Sequence, residues 1–169
     1  TYGDWSSDVC SSDLDFIEHK TMRLSKRGEY GLRAMIDLAS WSSEKRYIQI
    51  REIADRENIP IKFLEQIMLN LKNAGLVGSR MGVNGGYYLS KSPDQITLGQ
   101  IIRILDGPLA PIRCVSQTAY EPCNCPDENT CGLRRVMFRV RNAIADILDN
   151  ETLAEVIHGA PQKSFNKEN

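Results

Sequence analysis

The residues of this chain best suited to chemistry are its cysteines. Four of the five fall inside 18 residues: Cys114, Cys123, Cys125 and Cys131, spaced C-x8-C-x-C-x5-C. Thiolates are soft donors, and four together satisfy an iron-sulfur cluster or a zinc ion without any other residue. No cationic leader with an apolar core and cleavage site is present, so the expected setting is the reducing cytoplasm, where clustered thiols read as a soft-metal site before a disulfide framework. Spacing leaves three uses open: an iron-sulfur cluster, a structural zinc ion, or direct thiol switching. The paired C-x2-C units common in zinc knuckles are missing, as is a C-x-x-C redox pair on a βαβ scaffold. With no Ser-His-Asp set, phosphate loop or HExxH either, an enzyme is not expected.

A site of that kind needs a scaffold. The chain has 169 residues, 25% charged and 41% hydrophobic, with 12 Gly and 7 Pro, which excludes collagen-like and fully disordered classes. No apolar run approaches the roughly 20 residues needed to cross a bilayer. The length suits one domain, or a small domain with an extension that a partner helps to bury. Asp4 to Leu14 reads DWSSDVCSSDL, which resembles a translated sequencing-library adaptor. The expectation is that residues 1–14 are adaptor-derived, that 15–21 are upstream sequence, and that Met22 is the native start, which sets Cys10 aside. Beyond it, residues 22–93 carry 12 Lys/Arg against 7 Asp/Glu and residues 94–169 carry 8 against 10. The basic half points toward a polyanion.

Periodicity predicts mostly helix. Ser25 caps a first helix that ends near Trp41, with Leu32, Met35, Ile36 and Ala39 on one face. Tyr47–Ile50 reads as a short strand, and Arg51–Glu57 as a second helix with Ile53 and Ala54 inward. After Asn58-Ile59, Pro60 opens a third helix to about Asn73, with Ile61, Leu64, Ile67, Met68 and Leu71 as its back and Gly75 as its stop. Its front offers Lys62, Glu65, Gln66, Asn70 and Lys72, side chains able to read base edges or meet phosphates. By spacing alone that front is equally a solvated face. Leu76–Leu89 then reads as two strands around a turn in which Asn84, Gly85 and Gly86 supply positive φ. A hairpin after a helix-turn-helix is a wing, and Arg80 with the amides of the Gly-rich tip is placed to meet phosphates or the minor groove. Together with the local positive charge, this favours DNA binding.

The segments MRLSKRGEYGLRAMIDLA (22–39), IPIKFLEQIMLNLKNAGLV (59–77) and the wing ending NGGYYLS resemble the Rrf2 family of bacterial winged-helix transcription regulators, which includes IscR-like and NsrR-like members. The resemblance runs from Met22 to Ile157. With the periodicity it gives a mainly α fold with a small β-wing: a winged helix-turn-helix over 22–93, a linker helix and Cys-rich loop over 94–130, a dimerisation helix region over 131–158 and, from its polar composition, a disordered tail over 159–169. It also implies a homodimer on a palindromic operator, the third helix in the major groove and the wing on the minor groove. Members commonly carry Arg directly before the first Gly of the wing, where this chain has Met81, with Arg80 beside it.

The resemblance also bears on the thiols. IscR-like and NsrR-like members hold an iron-sulfur cluster with three cysteines spaced C-x5-C-x5-C, which implies a cluster here, 2Fe-2S or 4Fe-4S, with zinc as the alternative. Cys125 and Cys131 match the second interval, Cys114 matches the first cysteine after a lengthened loop, and Cys123 is extra. The fourth ligand stays open. Arg134 stands where IscR-like members have His, whereas Glu29 matches an acidic residue that in NsrR-like members comes from the other subunit. Cys123 is the alternative, and Glu29 read by itself is a solvated residue favoured by the helix dipole. His158 reads as a surface residue.

Thr97 is expected to cap a helix to Leu105, stopped by Asp106-Gly107-Pro108. From Cys131 a helix to about Asp149 carries Leu133, Val136, Met137, Val140, Ile144, Ile147 and Leu148, an apolar cover wide enough to ask for a second subunit. The resulting expectation is a repressor or dual regulator gated by a thiol-bound cluster. Its rivals are a regulator without a cluster, using thiol oxidation, zinc or a protein partner, and a zinc-tied module without DNA affinity.

Overall fold

A computed structural model describes residues 24–44 and 46–159. The adaptor-like segment and most of the polar tail lie outside the described residues. Helix α1 (Lys26–Ser40) starts where Ser25 Oγ accepts the Gly28 N–H. Asp106 accepts from both the Ser25 amide and hydroxyl, at 3.0 and 2.5 Å, so the start of α1 is pinned to the end of α4 (Leu98–Leu105). The two helices touch closely because Gly31 has no side chain. A Cβ there would lie 2.0 Å from a Leu105 methyl.

Helices α2 (Ile50–Glu57) and α3 (Ile61–Asn73) are joined by a left-handed Asn58, φ 50°. Pro60 is the cap of α3 rather than its first helical residue, because its ψ of 122° is still extended. At the other end Gly75, φ +76°, closes a Schellman turn: Gly75 N–H donates to Lys72 O and Leu76 N–H to Leu71 O. Leu64, Ile67, Met68 and Leu71 meet Met35, Leu38 and Ile53 in one core, all 3% exposed or less. Each such side chain contributes roughly 1.5–3 kcal/mol relative to exposure. Arg56 clamps α2 to α1 with two bonds to the buried Asp37 carboxylate, 2.8 and 2.7 Å.

Strands β1 (Val77–Arg80) and β2 (Gly86–Leu89) pair antiparallel, Val77 opposite Leu89 and Arg80 opposite Gly86. The strand expected at Tyr47–Ile50 shrinks to a single bridge between Ile48 and Tyr87, since Ile50 already begins α2. That bridge requires Gly86, where a Cβ would lie 2.5 Å from Ile48 O. The turn also departs from expectation. Positive φ occurs at Gly82 (115°) and Gly86 (156°), not at Asn84 or Gly85. Gly85 is instead required by crowding, its would-be Cβ 2.2 Å from Arg80 O.

Thr97 caps α4 as expected, and Gly107, φ +91°, ends it. After a 3-10 turn at Arg113–Val115, α5 runs Gly132–Asn150. Asp149 joins it to α4 through two bonds from Arg103, 2.5 and 2.8 Å. The helix expected from Cys131 to about Asp149 is α5, and a second, short helix completes the segment 131–158. Glu151 leaves helical geometry and Thr152 with Glu155 forms a capping box that starts α6 (Leu153–His158). This last helix returns to the N-terminal core, burying Leu153 completely, with Leu153 N–H donating to Ile96 O and Leu98 N–H to Glu151 O.

Candidate functional site

Two surfaces gather the residues singled out above. The first is the outer side of α3 and the wing. The buried back of α3 forces Lys62, Gln66 and Leu69 outward on one face, with Glu65 and Asn70 at its edge. Lys62 is 87% exposed and pairs with Glu65 at 3.0 Å. Leu69, 48% exposed, was not singled out in the sequence. A bare leucine on such a face matches the methyl of thymine rather than a hydrogen-bonding edge. Lys72 points elsewhere: its Nζ donates to Ser79 Oγ at 2.7 Å and ties α3 to β1.

On the wing, the Arg80 guanidinium lies over the Tyr47 ring, 5.2 Å from its centroid, and Tyr47 meets Tyr88 edge-on. Asn84 is exposed, but Gly85 is buried and its amide donates to Gly82 O at 2.9 Å. The Gly85 amide is therefore used up inside the turn and not offered to a phosphate. The tip presents Met81 and Val83 instead, 95% and 91% exposed. No periodic signal in the sequence marks these two.

The second surface is the thiol loop at the head of α5. Cys114 is buried in its 3-10 turn, Cys123 and Cys131 are half-buried and Cys125 is exposed. Cys131 caps α5, its sulfur accepting the Arg134 N–H at 3.4 Å, and lies 3.9 Å from the Cys125 sulfur. The four thiols are neighbours in a row: Cys123 interacts with Cys114 on one side and Cys125 on the other, and Cys125 with Cys131. Among the described residues no group of three or more Cys, His, Asp or Glu converges on one point as metal ligands do. Hydrogen bonding from Cys125 holds the Cys123 thiol below its ordinary value. Cys125, bonded to Cys123 and Cys131, is pushed up to about 12. Burial raises Cys114.

Arg134 braces the loop. Its Nε donates to Cys114 O at 3.3 Å and pairs with Glu128 at 2.9 Å, while Tyr120 OH donates to the other Glu128 oxygen at 2.7 Å. Glu128 was missed by the sequence reading, although its charge bears on both Cys114 and Cys123. Glu29 lies in the first turn of α1 beside Lys26 and Arg33, at 2.8 and 3.8 Å. Of α5, only Arg141 is buried, and Leu133, Val136 and Ile147 stand 58%, 48% and 41% exposed.

A helix-turn-helix followed by a two-stranded wing and packed by flanking helices defines a winged-helix transcription regulator rather than an enzyme. The family model for Rrf2, described as an iron-dependent transcriptional regulator, matches residues 24–159. The HTH-type transcriptional regulator CymR of Bacillus subtilis is 38% identical over 135 residues, covering 80% of this chain and 89% of CymR. The solved structure of B. subtilis CymR, described as the global cysteine regulator, superposes with a TM-score of 0.69 at 35% identity, covering 83% of this chain and all of that one. T. potens IscR superposes at 0.66 and 30% identity, covering 87% and 94%. The chain belongs to the Rrf2 family, and like its relatives is a DNA-binding transcriptional regulator. No helix among the described residues is long and apolar enough to cross a membrane.

Proposed function

We propose that this regulator is a cytoplasmic homodimer whose grip on a palindromic operator is set by a group held on Cys114, Cys123, Cys125 and Cys131, an iron-sulfur cluster. The observation that carries it is the row of four thiols at the head of α5, directly between the winged unit and the helix with an open apolar face. The chemistry of the donors fits, four neighbouring soft sulfurs with one held partly toward thiolate by its neighbour, and the row would have to close around the group to bring them to one point. Cys114, Cys125 and Cys131 would hold the group, with Cys123 or a Glu29 carboxylate from the second subunit as the fourth ligand. Such a group supplies reversible electron uptake and lability toward oxidants.

In this reading Leu133, Val136, Val140 and Ile147 of α5 pack on their counterparts in a second copy. Two copies present two α3 helices, which enter major grooves roughly 34 Å apart. Gln66 and Asn70 read base edges, Glu65 accepts from cytosine, Lys62 and Arg80 meet phosphates, and Asn84 approaches the minor groove. Residues 22–93 form the reading head, 94–130 the sensing linker and 131–150 the dimer contact. Cys131 caps α5 and Arg134 ties that helix to Cys114, so closing the loop around a ligand shifts α5 and with it the spacing of the two heads.

The test is protein purified without oxygen. Iron and sulfide in equal amounts, with a brown absorbance that vanishes on oxidation, are expected. Operator affinity should then differ at least tenfold between the loaded form and a variant with all four thiols replaced by serine. One zinc per chain, or equal affinity in both, would remove the gating. A second reading rests on the Cys125–Cys131 contact of 3.9 Å: closing it to a disulfide of about 2.05 Å needs little movement of the sulfurs. An oxidant response that persists in metal-free protein and vanishes in Cys131→Ser distinguishes it.

A further inference from the structure

The two most exposed large apolar side chains among the described residues sit together at the tip of the wing. Met81 and Val83 are 95% and 91% exposed, whereas the next in rank, Leu133, stands at 58%. The tip carries no charge, since residues 81–84 read Met-Gly-Val-Asn. The neighbouring cation, Arg80, lies over the Tyr47 ring. The backbone that presents the two side chains is nonetheless fixed. Gly85 N–H donates to Gly82 O at 2.9 Å, Gln49 Nε2 donates to Val83 O at 3.3 Å, and Gly86 is packed against the Ile48 backbone. Gln49 is the cap residue of α2, so the tip is tied to the first helix of the helix-turn-helix, and Lys72 ties β1 to the second. Met81 and Val83 are thus held out on a braced turn that is continuous with the α3 surface, and they gain no burial within their own subunit.

We infer that Met81 and Val83 form an apolar wedge that enters the minor groove beside each half-site and loosens the stacking of one base step there. The inference rests on the proposal that α3 lies in the major groove and is independent of any group held by the thiols. With α3 so placed, a hairpin that leaves the end of that helix and is tied back to α2 lies against the neighbouring stretch of duplex. The minor groove offers a degenerate hydrogen-bonding pattern, and proteins that bind there commonly part its bases with apolar side chains. Met81, unbranched and polarizable, is shaped to slide between bases, and Val83 packs on the sugars beside it. Pyrimidine–purine steps such as TA and CA/TG part most easily, so the wedge confers a preference for such a step without a hydrogen bond to either base. An uncharged tip releases no counterion, so this contact does not add to the salt dependence of binding.

The test uses the full chain and a duplex of about 30 base pairs, room for two half-sites one turn apart, selected by that chain from a random pool. A fluorescent adenine analogue that brightens on unstacking is placed in turn at each step flanking the half-sites. One step is expected to brighten when the parent binds and to stay dark with Met81→Ser plus Val83→Ser. Both side chains are exposed, so the double variant should melt with the parent. It should bind about tenfold more weakly, with an unchanged salt dependence and no preference for a pyrimidine–purine step. Met81→Leu with Val83 kept should retain the brightening, and Met81→Arg should steepen the fall of log affinity with log salt by about 0.9. No brightening with the parent, or a loss in the double variant that is equal on every flanking step, overturns the wedge. A parent that selects no duplex overturns the α3 reading with it, whereas a selected duplex that the double variant binds equally well overturns the wedge alone.

Discussion

The winged half and the thiol-bearing half are held together on opposite terms. Helices α1 to α3 close over Met35, Leu64, Ile67, Met68 and Leu71, each with no exposure at all. Helix α5 is longer than any of them, at 19 residues, yet buries only an arginine and leaves an apolar face open. Between α4 and α5 the chain has one 3-10 turn as its regular structure, and scattered backbone turns with side-chain braces such as Arg134 to Cys114 O hold the rest. The reading head therefore carries its own core, whereas the thiol-bearing half leaves much of its longest helix uncovered. Under the proposed function that open surface is what a second copy covers.

The largest expected effect breaks the core of the first half. Leu64→Ala should cost about 3 kcal/mol in urea melts, while Leu133→Ala, at a position 58% exposed, should cost under about 0.5 kcal/mol at concentrations where the chain is monomeric. Equal costs would erase the contrast. Next, Val136→Glu with Ile147→Glu should turn a sedimenting dimer into a monomer and weaken a two-half-site operator roughly 30-fold, about 2 kcal/mol, while half-site binding is unchanged. A dimer that survives both charges places the interface elsewhere. Smaller again, Gln66→Ala should lose roughly tenfold in affinity and relax preference at one base pair, by fluorescence anisotropy, to the same degree whatever the state of the thiols. A loss that depends on thiol state would mean that the thiol loop alters the base-reading face itself.

Thiol titration sharpens the second half. The Cys123 thiol is held below its ordinary value and Cys125 sits at about 12. As pH rises, thiolate therefore forms first at Cys123, and iodoacetamide mapping near neutrality should label Cys123 before Cys125, despite the greater exposure of Cys125. The smallest effect concerns the pair that joins the halves. Arg103 holds the Asp149 carboxyl below its usual range, so its contribution is present above about pH 4 and is lost as pH falls through the lower folded value. Both side chains are partly exposed, so Asp149→Asn should cost under about 1 kcal/mol at pH 7, by thermal melts.

What could be read from the chain follows the range of the interactions involved. Ser25 and Thr97 as caps, the Leu64-Ile67-Met68-Leu71 stripe and the Gly75 stop depend on neighbours within a turn, and all stand where their spacing put them. The capping box at Thr152 and Glu155 was equally local, a T-x-x-E signal that marks the start of α6. Gly85 was misassigned because its constraint is a clash with Arg80 O across the hairpin and not its own φ. The strand at Tyr47–Ile50 failed for a related reason: its β-branched and aromatic residues suit a strand, but only Ile48 finds a partner in β2.

The sequence by itself determined that there would be a helix-turn-helix with a wing, that four thiols would share one loop, and that a later helix would carry more apolar surface than its own subunit covers, because periodicity, capping and clustering are properties of adjacent residues. Only the tertiary structure decided that α6 returns to the first core, that Lys72 is spent on Ser79, that Glu128 stands beside the thiols, and that Arg141 is the one buried residue of α5. Those outcomes depend on which atoms far apart in the chain come within a few ångströms of each other, and spacing along the backbone carries no record of that.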